Sequence, residues 1–546
     1  MNEPMPSDAK SVKSGYFRLY GLVFAASTLL YALTAQRGVA WQDSGIFQNR
    51  ILEFDLTGWL GLALAHPVLI LVGKLFSWIP FGPLAWRLNL VSAVFAAGAT
   101  ANVAVLAARV SKSRRWGPAF AAGALGLGHT FWWLATICES QVIEAFWLTL
   151  EWNLVWTILT TGAVWPGLAL AAVSGLGFAT HNLALLAVPA YLALAGGMVW
   201  RRRWPVWILP AGLGAWALGA MPMLVLVAQQ AMAGSIPEAV RSALFGRSWQ
   251  GAVVVGRANK VFMGAAYVVY QFPNLALPLA AGGLAWAVKR YRAFGAVMAY
   301  MLGIYMLFAI RYDVPDQFMF FLPAYSAVAV LAGLAVGRLA LNNRRLTVAV
   351  AAASVVVTPL LYVAATAAWR RWDLPLPGRK DLAYRDPVRY WLIPWKHDEN
   401  SAGRFARAAL QQAAATGPAP LILTDHTVLP ALQWTQRVHR IGPGVELGAT
   451  GQWQAAASPP GRAVLVVSRR PSSIPSPLSP ISPAALEFIA SAAGGGGSWV
   501  GAGWPPEERH AYLAAWLPVS ALREDPSGPL LRVEWRRAKP REGYAP

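Results

Sequence analysis

Apolar residues fall in blocks of about 20 along the first two-thirds of the chain, with short polar corners between them. A helical block of that length crosses the hydrocarbon layer of a membrane, which is about 30 Å thick. The pattern predicts about eleven transmembrane helices, at residues 19–36, 88–109, 117–136, 144–161, 164–180, 183–199, 205–229, 263–288, 294–310, 318–340 and 346–368.

The segment 37–87 does not fit this series. Its apolar stretch from Leu60 to Pro80 is interrupted by His66, Pro67 and Lys74. We interpret the segment as a first outer loop that contains one or two helices lying along the membrane interface.

Basic residues cluster at the ends of several blocks, and these clusters orient the chain. With a cytoplasmic N-terminus, every one of them lies on the cytoplasmic side, as positively charged loops do in membrane proteins. The clusters are Lys112–Arg115, Arg201–Arg203, Lys289–Arg292 and Arg344–Arg345. The pattern predicts a multi-pass protein of the bacterial inner membrane with its C-terminal part outside the cytoplasm.

From about residue 369 the sequence changes character. Residues 420–424, 463–468 and 529–535 are typical of strands, and residues 399–415 are typical of a helix. Linkers rich in proline, serine and glycine are expected at 470–483 and 494–497. We predict a transmembrane domain at 1–368 and an extracytoplasmic α/β domain at 369–546.

The charge of the protein bears on its binding partners rather than on its fold. Only 13% of residues are charged, yet the formal net charge is +21. Because the basic residues lie between apolar blocks, they favour contact with anionic membrane lipids over nucleic acid. We expect no nucleic-acid partner, and no ATP-driven machine, because the sequence has no phosphate-binding glycine loop. Cys138 is the single cysteine, so no intrachain disulfide can form.

Ionisable residues of the apolar region collect on the predicted outer face, and ionisable groups at membrane depth usually serve function. They are Asp43, His66, Glu139, His181, Asp313 and Asp316. Asp43 could accept a proton as a general base, or it could cap a helix or form a turn. Glu139 could position an acceptor, share a divalent cation with Asp43, or be a solvated corner. Two carboxylates alone make a weak metal site, so the sequence predicts no particular metal.

Basic side chains on the same face could hold a phosphate, or could be ordinary loop charges near lipid headgroups. They are Arg87, Arg247, Arg257, Lys260 and Arg311. His66 and His181 could hydrogen-bond a phosphate or a sugar hydroxyl, or could serve only the structure.

Seven stretches together resemble a known family. They are DSGIF at 43–47, HPVLILVGKLF at 66–76, AWRLNLVSAVFAA at 85–97, TFWWLATICESQVIEAF at 130–146, GLGFATHNLALLAVPA at 175–190, YDVPDQFMFFLPAY at 312–325 and YWLIPWK at 390–396. In this order they resemble bacterial membrane proteins of unknown function that are grouped with protein O-mannosyltransferases. That group belongs to the GT-C class of polytopic glycosyltransferases.

The resemblance implies a GT-C-like fold, Asp43 as the catalytic residue, and an inverting displacement on a polyprenyl-phosphate-linked sugar. The acceptor would be a protein Ser or Thr, a lipid or a glycan. Glu139 would be a second catalytic residue. The resemblance also implies that His66 and His181 line the site and that the loop 313–317 lies beside it. Together with residues chosen from the sequence itself, the predicted substrate-binding set is His66, Arg87, Asn89, His181, Asn182, Arg247, Lys260, Arg311, Asp313, Asp316 and Gln317.

Two positions depart from the family pattern. Ile46 stands where an acidic residue is usual, and Ser44 stands where mannosyltransferase relatives often carry a glutamate. Glu53 or Asp55 would have to supply a second acid. A transporter or lipid flippase, and a non-catalytic scaffold, are the alternative functions that the sequence leaves open.

Overall fold

The computed structural model describes residues 7–246, 258–374, 376, 382–449, 464–466, 486–489, 522–524 and 531–537. The helices among them are α1 Ser7–Thr34, α2 Gln42–Glu53, α3 Pro67–Ser77, α4 Leu84–Ser111, α5 Trp116–Gly126, α6 His129–Ala135, α7 Gln141–Thr161, α8 Trp165–Thr180, α9 Val188–Trp200, α10 Ile208–Ala233, α11 Ile236–Phe245, α12 Ala258–Gln271, α13 Ala276–Arg290, α14 Arg292–Arg311, α15 Leu322–Asn342, α16 Arg344–Arg371, α17 Pro387–Leu392, α18 Ser401–Ala414 and α19 Leu429–His439. Short 3-10 helices occupy Leu62–Leu64, Asn182–Ala187 and Gln317–Phe321.

The described residues form two compact units. The first unit lies within Met1–Arg37, Arg50–Gly378 and Pro387–Glu399, and the second lies within Gly38–Asn49, Arg379–Asp386 and Asn400–Pro546. Residues 38–49, which belong to the predicted first outer loop, therefore fold as part of the second unit.

The first unit is a mostly helical, multi-pass membrane body. Within the described ranges, eight helical segments are long and apolar enough to cross a membrane, rather than the eleven predicted. They are Ser14–Thr34, Leu84–Ser111, Gln141–Thr161, Asn182–Trp200, Ile208–Ala233, Arg292–Arg311, Gln317–Ala340 and Ala352–Arg371. Each coincides with one of the predicted spans.

The three other predicted spans are short or broken. The span predicted at 164–180 is α8, whose 16 residues measure about 24 Å at 1.5 Å per residue. The span predicted at 263–288 is interrupted between α12 and α13 by Pro273, which has no N–H to donate. The Asn274 Oδ1 then accepts a hydrogen bond at 2.9 Å from the N–H of Ala276, the first residue of α13.

The span predicted at 117–136 is also interrupted, between α5 and α6. The break is stabilised by Gln271, the last residue of α12, whose Oε1 accepts from the Thr130 N–H at 2.8 Å. Gly128 leaves the room for this contact, because a Cβ there would overlap the Gln271 side chain. The side-chain amide of Gln271, which is distant in sequence, thus accepts a hydrogen bond from a backbone N–H in the first turn of α6, within the apolar block.

α4 is one of the most buried spans, with small residues along much of its length. A polar ladder joins it to α7. The Asn153 Nδ2 donates to the Asn102 carbonyl oxygen at 3.0 Å, and Arg109 donates to the Asn153 Oδ1 at 3.2 Å and to the Thr157 hydroxyl at 2.7 Å. Such hydrogen bonds fix the register of two helices in an apolar medium.

The segment 37–87, predicted to be an outer loop, contains short helices. α2, the 3-10 turn Leu62–Leu64 and α3 occupy it. Asp55 holds the turn after α2, because its Oδ1 accepts from the backbone N–H of Thr57 at 3.0 Å and of Gly58 at 2.9 Å. Burial favours the neutral acid, but the Gly58 hydrogen bond and the Arg50 charge together lower the pKa of Asp55.

The second unit contains a mixed sheet with α18 and α19. Its described strands are β1 Leu421–Thr424, β2 Glu446–Ala449, β3 Val464–Val466, β4 Leu486–Ile489, β5 Leu522–Glu524 and β6 Leu531–Arg537. The strand order is β2-β1-β3-β6-β4, and β5 also pairs with β6. β1 is parallel to β2 and β3, whereas β6 is antiparallel to its partners. β1, β3 and α18 lie within the predicted ranges, and β6 overlaps its own. The linkers expected at 470–483 and 494–497 lie outside the described residues.

Candidate active site

Asp43 lies in the first turn of α2, in the second unit. Its side chain is half-buried, whereas Trp41, Ser44 and Gly45 around it are buried. The N-terminus of a helix favours a negatively charged side chain, because the first backbone N–H groups point toward it. Asp43 therefore lies where a helix N-terminus favours a carboxylate, with its side chain partly open to solvent. Ile46, at the position of the missing acid, is also half-buried.

Glu139 lies in the first unit, at the corner between α6 and α7. Its side chain is 1% exposed. The Ser92 hydroxyl of α4 fixes its backbone, by accepting from the Glu139 N–H at 2.8 Å and donating to the Glu139 carbonyl oxygen at 3.1 Å. One turn earlier on α4, the Asn89 Nδ2 donates to the Gln36 carbonyl oxygen at 2.8 Å. Asn89 therefore secures the chain after α1, and Glu139 is held in place by α4.

His66 and His181 are brought together by the fold. Their rings stack with centroids 5.0 Å apart, and both side chains are buried. The His66 Nδ1 lies 2.8 Å from the Thr180 carbonyl oxygen, so this nitrogen must carry a proton. The His181 Nδ1 accepts from the Leu183 N–H at 3.2 Å, so in neutral His181 the proton is on Nε2. The pair therefore has two different tautomers, each fixed by the backbone.

Asn182 follows the pair directly. Its Nδ2 donates to the Leu244 carbonyl oxygen at 2.8 Å, which attaches the end of α11. The tautomers of the pair and this amide contact give all three residues a structural role, whatever further role they have.

The loop between α14 and α15 carries a second polar group. Lys260 of α12 forms an ion pair with Asp313 at 2.8 Å and donates to the Val314 carbonyl oxygen at 3.1 Å. Burial raises the pKa of Asp316, and the Lys260 charge opposes that rise. The Gln317 Nε2 donates to the Ala309 carbonyl oxygen at 2.8 Å and so satisfies the end of α14. Lys260 is thus already neutralised in part by Asp313.

The remaining predicted cations differ in their surroundings. Arg87 donates to the Ser77 carbonyl oxygen at 2.8 Å and to the Ile79 carbonyl oxygen, so it caps the end of α3. Arg311 is exposed at the end of α14. Arg247 and Arg257 lie outside the described residues.

Several buried polar residues were not singled out from the sequence. Lys396 is 2% exposed, and its Nζ lies 4.5 Å from the Trp133 ring centroid and 4.8 Å from that of Tyr390. It also donates to the Ile393 carbonyl oxygen at 2.7 Å and to the Tyr390 carbonyl oxygen. The stretch YWLIPWK at 390–396, which carries part of the family resemblance, ends in this lysine and could have drawn attention to it.

Glu144 and Glu151, two turns apart on α7, are buried as well. The Tyr191 hydroxyl donates to the Glu151 Oε2 at 2.6 Å. Two glutamates seven residues apart inside one apolar block lie on the same helix face, and this pattern could have identified them from the sequence. Among the residues that the structure describes, no group of three or more His, Cys, Asp or Glu could hold a metal ion. The shared cation between Asp43 and Glu139 stays a prediction.

An apolar groove lies on the first unit between α3, α8 and α10. Its volume is about 420 Å³. Leu71, Leu218, Met221 and Val225 line it and are exposed, which is the expected state for side chains that face lipid. Pro67, next to His66, lies at its wall.

With the fold and these residues described, the chain can be compared with solved structures, and its fold is similar to that of ArnT from Cupriavidus metallidurans. ArnT from Cupriavidus metallidurans bound to undecaprenyl phosphate is similar with a TM-score of 0.55 and 14% identity, covering 82% of this chain and 92% of that chain. ArnT in the apo state gives a TM-score of 0.53 and 15% identity, covering 78% and 85%.

The arabinofuranosyltransferase AftD from Mycobacteria gives a TM-score of 0.44 and 13% identity, covering 79% of this chain and 32% of that chain. No protein-family model matches the sequence, and neither does any curated protein. At these identities, the likeness establishes the fold alone. The finer resemblance to proteins grouped with O-mannosyltransferases stays a prediction.

Proposed function

We propose that this protein is an integral membrane glycosyltransferase that takes a sugar from a polyprenyl-phosphate donor and transfers it to an acceptor outside the cytoplasm. The observation that carries the proposal is the fold shared with ArnT over most of both chains, in a structure that holds undecaprenyl phosphate. The acceptor is a protein Ser or Thr, a lipid or a glycan, and the resemblance favours mannose as the first sugar to test.

The chemistry is a single inverting displacement. The acceptor oxygen forms a bond to the anomeric carbon, and the bond from that carbon to the phosphate oxygen breaks. Polyprenyl phosphate leaves with the bonding electron pair. Asp43 accepts the acceptor proton as general base, which typically contributes about 10²- to 10⁴-fold to such a rate. Because Ile46 stands at the position of the usual second acid, we assign the general-base role to Asp43.

The apolar groove of the first unit supports a lipid-linked donor. A polyprenyl chain needs an apolar surface, and the groove between α3, α8 and α10 has an exposed apolar lining that includes Leu71, Leu218 and Val225.

The class of donor is tested with purified protein in lipid nanodiscs. We expect labelled mannose to pass from polyprenyl-phosphate mannose, and not from a nucleotide-linked mannose, into an extracytoplasmic extract. Transfer from the nucleotide donor alone would overturn the proposal. A folded protein that transfers neither, but moves labelled lipid across the bilayer, would support the flippase alternative instead.

A further inference from the structure

We infer that Asn49 is a positioning residue for Asp43. It lies at the end of the segment 38–49, which belongs to the second unit, and it fixes the part of α2 in that segment, residues 42–49, which carries the aspartate. The inference rests on the proposed function, because it takes Asp43 as the general base.

Both ends of the Asn49 amide are in use. The side chain is 3% exposed. Its Nδ2 donates to the Gly45 carbonyl oxygen at 2.8 Å, on the same helix, and to the Pro430 carbonyl oxygen at 2.9 Å, on α19. Its Oδ1 accepts from Arg437 of α19 at 3.4 Å. One side chain therefore joins α2 to α19 at two points.

The chemistry of this position requires an amide. Two carbonyl oxygens and one guanidinium demand a group with two N–H donors and one acceptor, and an amide side chain supplies both. A carboxylate would keep the contact to Arg437 but would set its oxygens against the two carbonyls. An apolar side chain would leave the Pro430 carbonyl without this donor.

The opposite end of the segment is fixed independently. The Trp41 Nε1 donates to the Ser401 hydroxyl at 2.8 Å, and the Gln42 N–H donates to the Thr427 carbonyl oxygen at 3.1 Å. Asp43 thus lies between two anchored points of the second unit. Its side chain is half-buried and keeps solvent access, while hydrogen bonds hold the backbone on both sides of it.

Catalytic geometry is sensitive to such anchoring, since a displacement of about 1 Å can cost on the order of 100-fold in rate. The test compares Asn49→Ala with Gln436→Ala in the full-length protein in nanodiscs. Gln436 is a matched control because its Nε2 also donates to two carbonyl oxygens of the second unit, those of Gly442 at 2.9 Å and Val445 at 2.7 Å. Neither of these contacts involves α2.

We expect Asn49→Ala to lower kcat on the order of 100-fold, with KM for donor and acceptor changed less than about twofold. Backbone amides of residues 44–49 should exchange hydrogen faster in Asn49→Ala than in Gln436→Ala, which should retain wild-type kcat. Asn49→Asp should lose at least as much rate as Asn49→Ala.

The outcomes separate the inference from the proposed function. If Asp43→Asn transfers sugar at the wild-type rate, the assignment of the base fails, and the inference fails with it. If Asp43→Asn is inactive while Asn49→Ala matches wild type, the positioning role alone is wrong. A lower kcat without faster exchange would give Asn49 a direct chemical role and overturn positioning.

Discussion

The imidazole rings of His66 and His181 stack 5.0 Å apart, each held by a different backbone group. Burial lowers the pKa of His66 well below its usual value, with the His181 charge adding to the effect, and burial lowers the pKa of His181 to about 4. Both imidazoles are therefore neutral at pH 7, and both are costly to protonate in the folded protein.

Acid is expected to destabilise the fold through this pair. In the unfolded chain, histidine binds a proton near pH 6.5. Because the folded pKa of His181 is lower, unfolding takes up a proton between about pH 6.5 and 4. Stability should fall as the pH drops through that window and level off below it, by up to about 1.4 kcal/mol per pH unit for one histidine.

His181→Asn tests this pH dependence, since asparagine keeps an acceptor for the Leu183 N–H and cannot titrate. Thermal unfolding in detergent between pH 7.5 and 4.5 should show a shallower loss of Tm for the variant. Parallel curves for variant and wild type would remove His181 as the source of the acid sensitivity.

Gly45→Ala should disrupt the segment that carries Asp43. A Cβ at Gly45 would overlap the Ala40 carbonyl oxygen and lie 2.9 Å from the Pro430 Cβ, so backbone must shift. Overpacking of this kind costs about 1–3 kcal/mol. We expect lower stability and a large loss of sugar transfer. Gly38→Ala is the control, because a Cβ there meets nothing within 4 Å. Equal behaviour of the two variants would contradict the tight packing of α2.

Lys396→Met should destabilise the first unit. The substitution leaves the carbonyl oxygens of Tyr390 and Ile393 without their ammonium donor, and a buried unsatisfied carbonyl costs about 1–3 kcal/mol. Arg389→Ala, in the same chain segment, breaks an exposed ion pair with Asp398 and should cost less than about 1 kcal/mol. Melting temperatures of the two variants, each compared with wild type, measure this difference in stability. An unchanged Tm for Lys396→Met would show that the buried lysine adds no stability.

Tyr191→Phe should be more damaging than Tyr300→Phe. The Tyr191 hydroxyl donates to the buried Glu151 carboxyl at 2.6 Å, whereas the half-buried Tyr300 donates to the Leu186 carbonyl oxygen at 2.9 Å. Loss of the first bond leaves a buried carboxyl group without that donor, at about 1–3 kcal/mol. Chemical unfolding in a mild detergent measures both. The reverse order would mean that Glu151 finds another donor readily.

The transmembrane spans that could be predicted correctly are the uninterrupted helices, because one long apolar block in the sequence is enough to identify them. α4 and α14 lie where hydropathy and flanking charge place them, because crossing a membrane is a property of one continuous segment. The break between α12 and α13 was missed because an average over the block hides Pro273 and Asn274. The break before α6 was missed because its stabilising partner, Gln271, comes from a helix 141 residues away.

Among the site residues, too, features set by one segment could be predicted and features set by distant contacts could not. The position of Asp43 at the start of a helix could be expected from the local sequence. Its membership of the second unit could not, since Asn49 and Pro430 are 381 residues apart. The contact of His66 with Thr180 is likewise set by tertiary packing across 114 residues. The hydrophobic pattern within a single segment cannot predict contacts between residues so far apart in the sequence.

The most direct measurement is sugar transfer by wild type and Asp43→Asn, in nanodiscs, with saturating polyprenyl-phosphate mannose and an extracytoplasmic extract. The substitution keeps the size of the side chain and removes its ability to accept a proton. We predict a loss of at least about 100-fold in kcat while both proteins retain the same Tm and the same affinity for polyprenyl phosphate. Equal rates for the two proteins would contradict Asp43 as the general base.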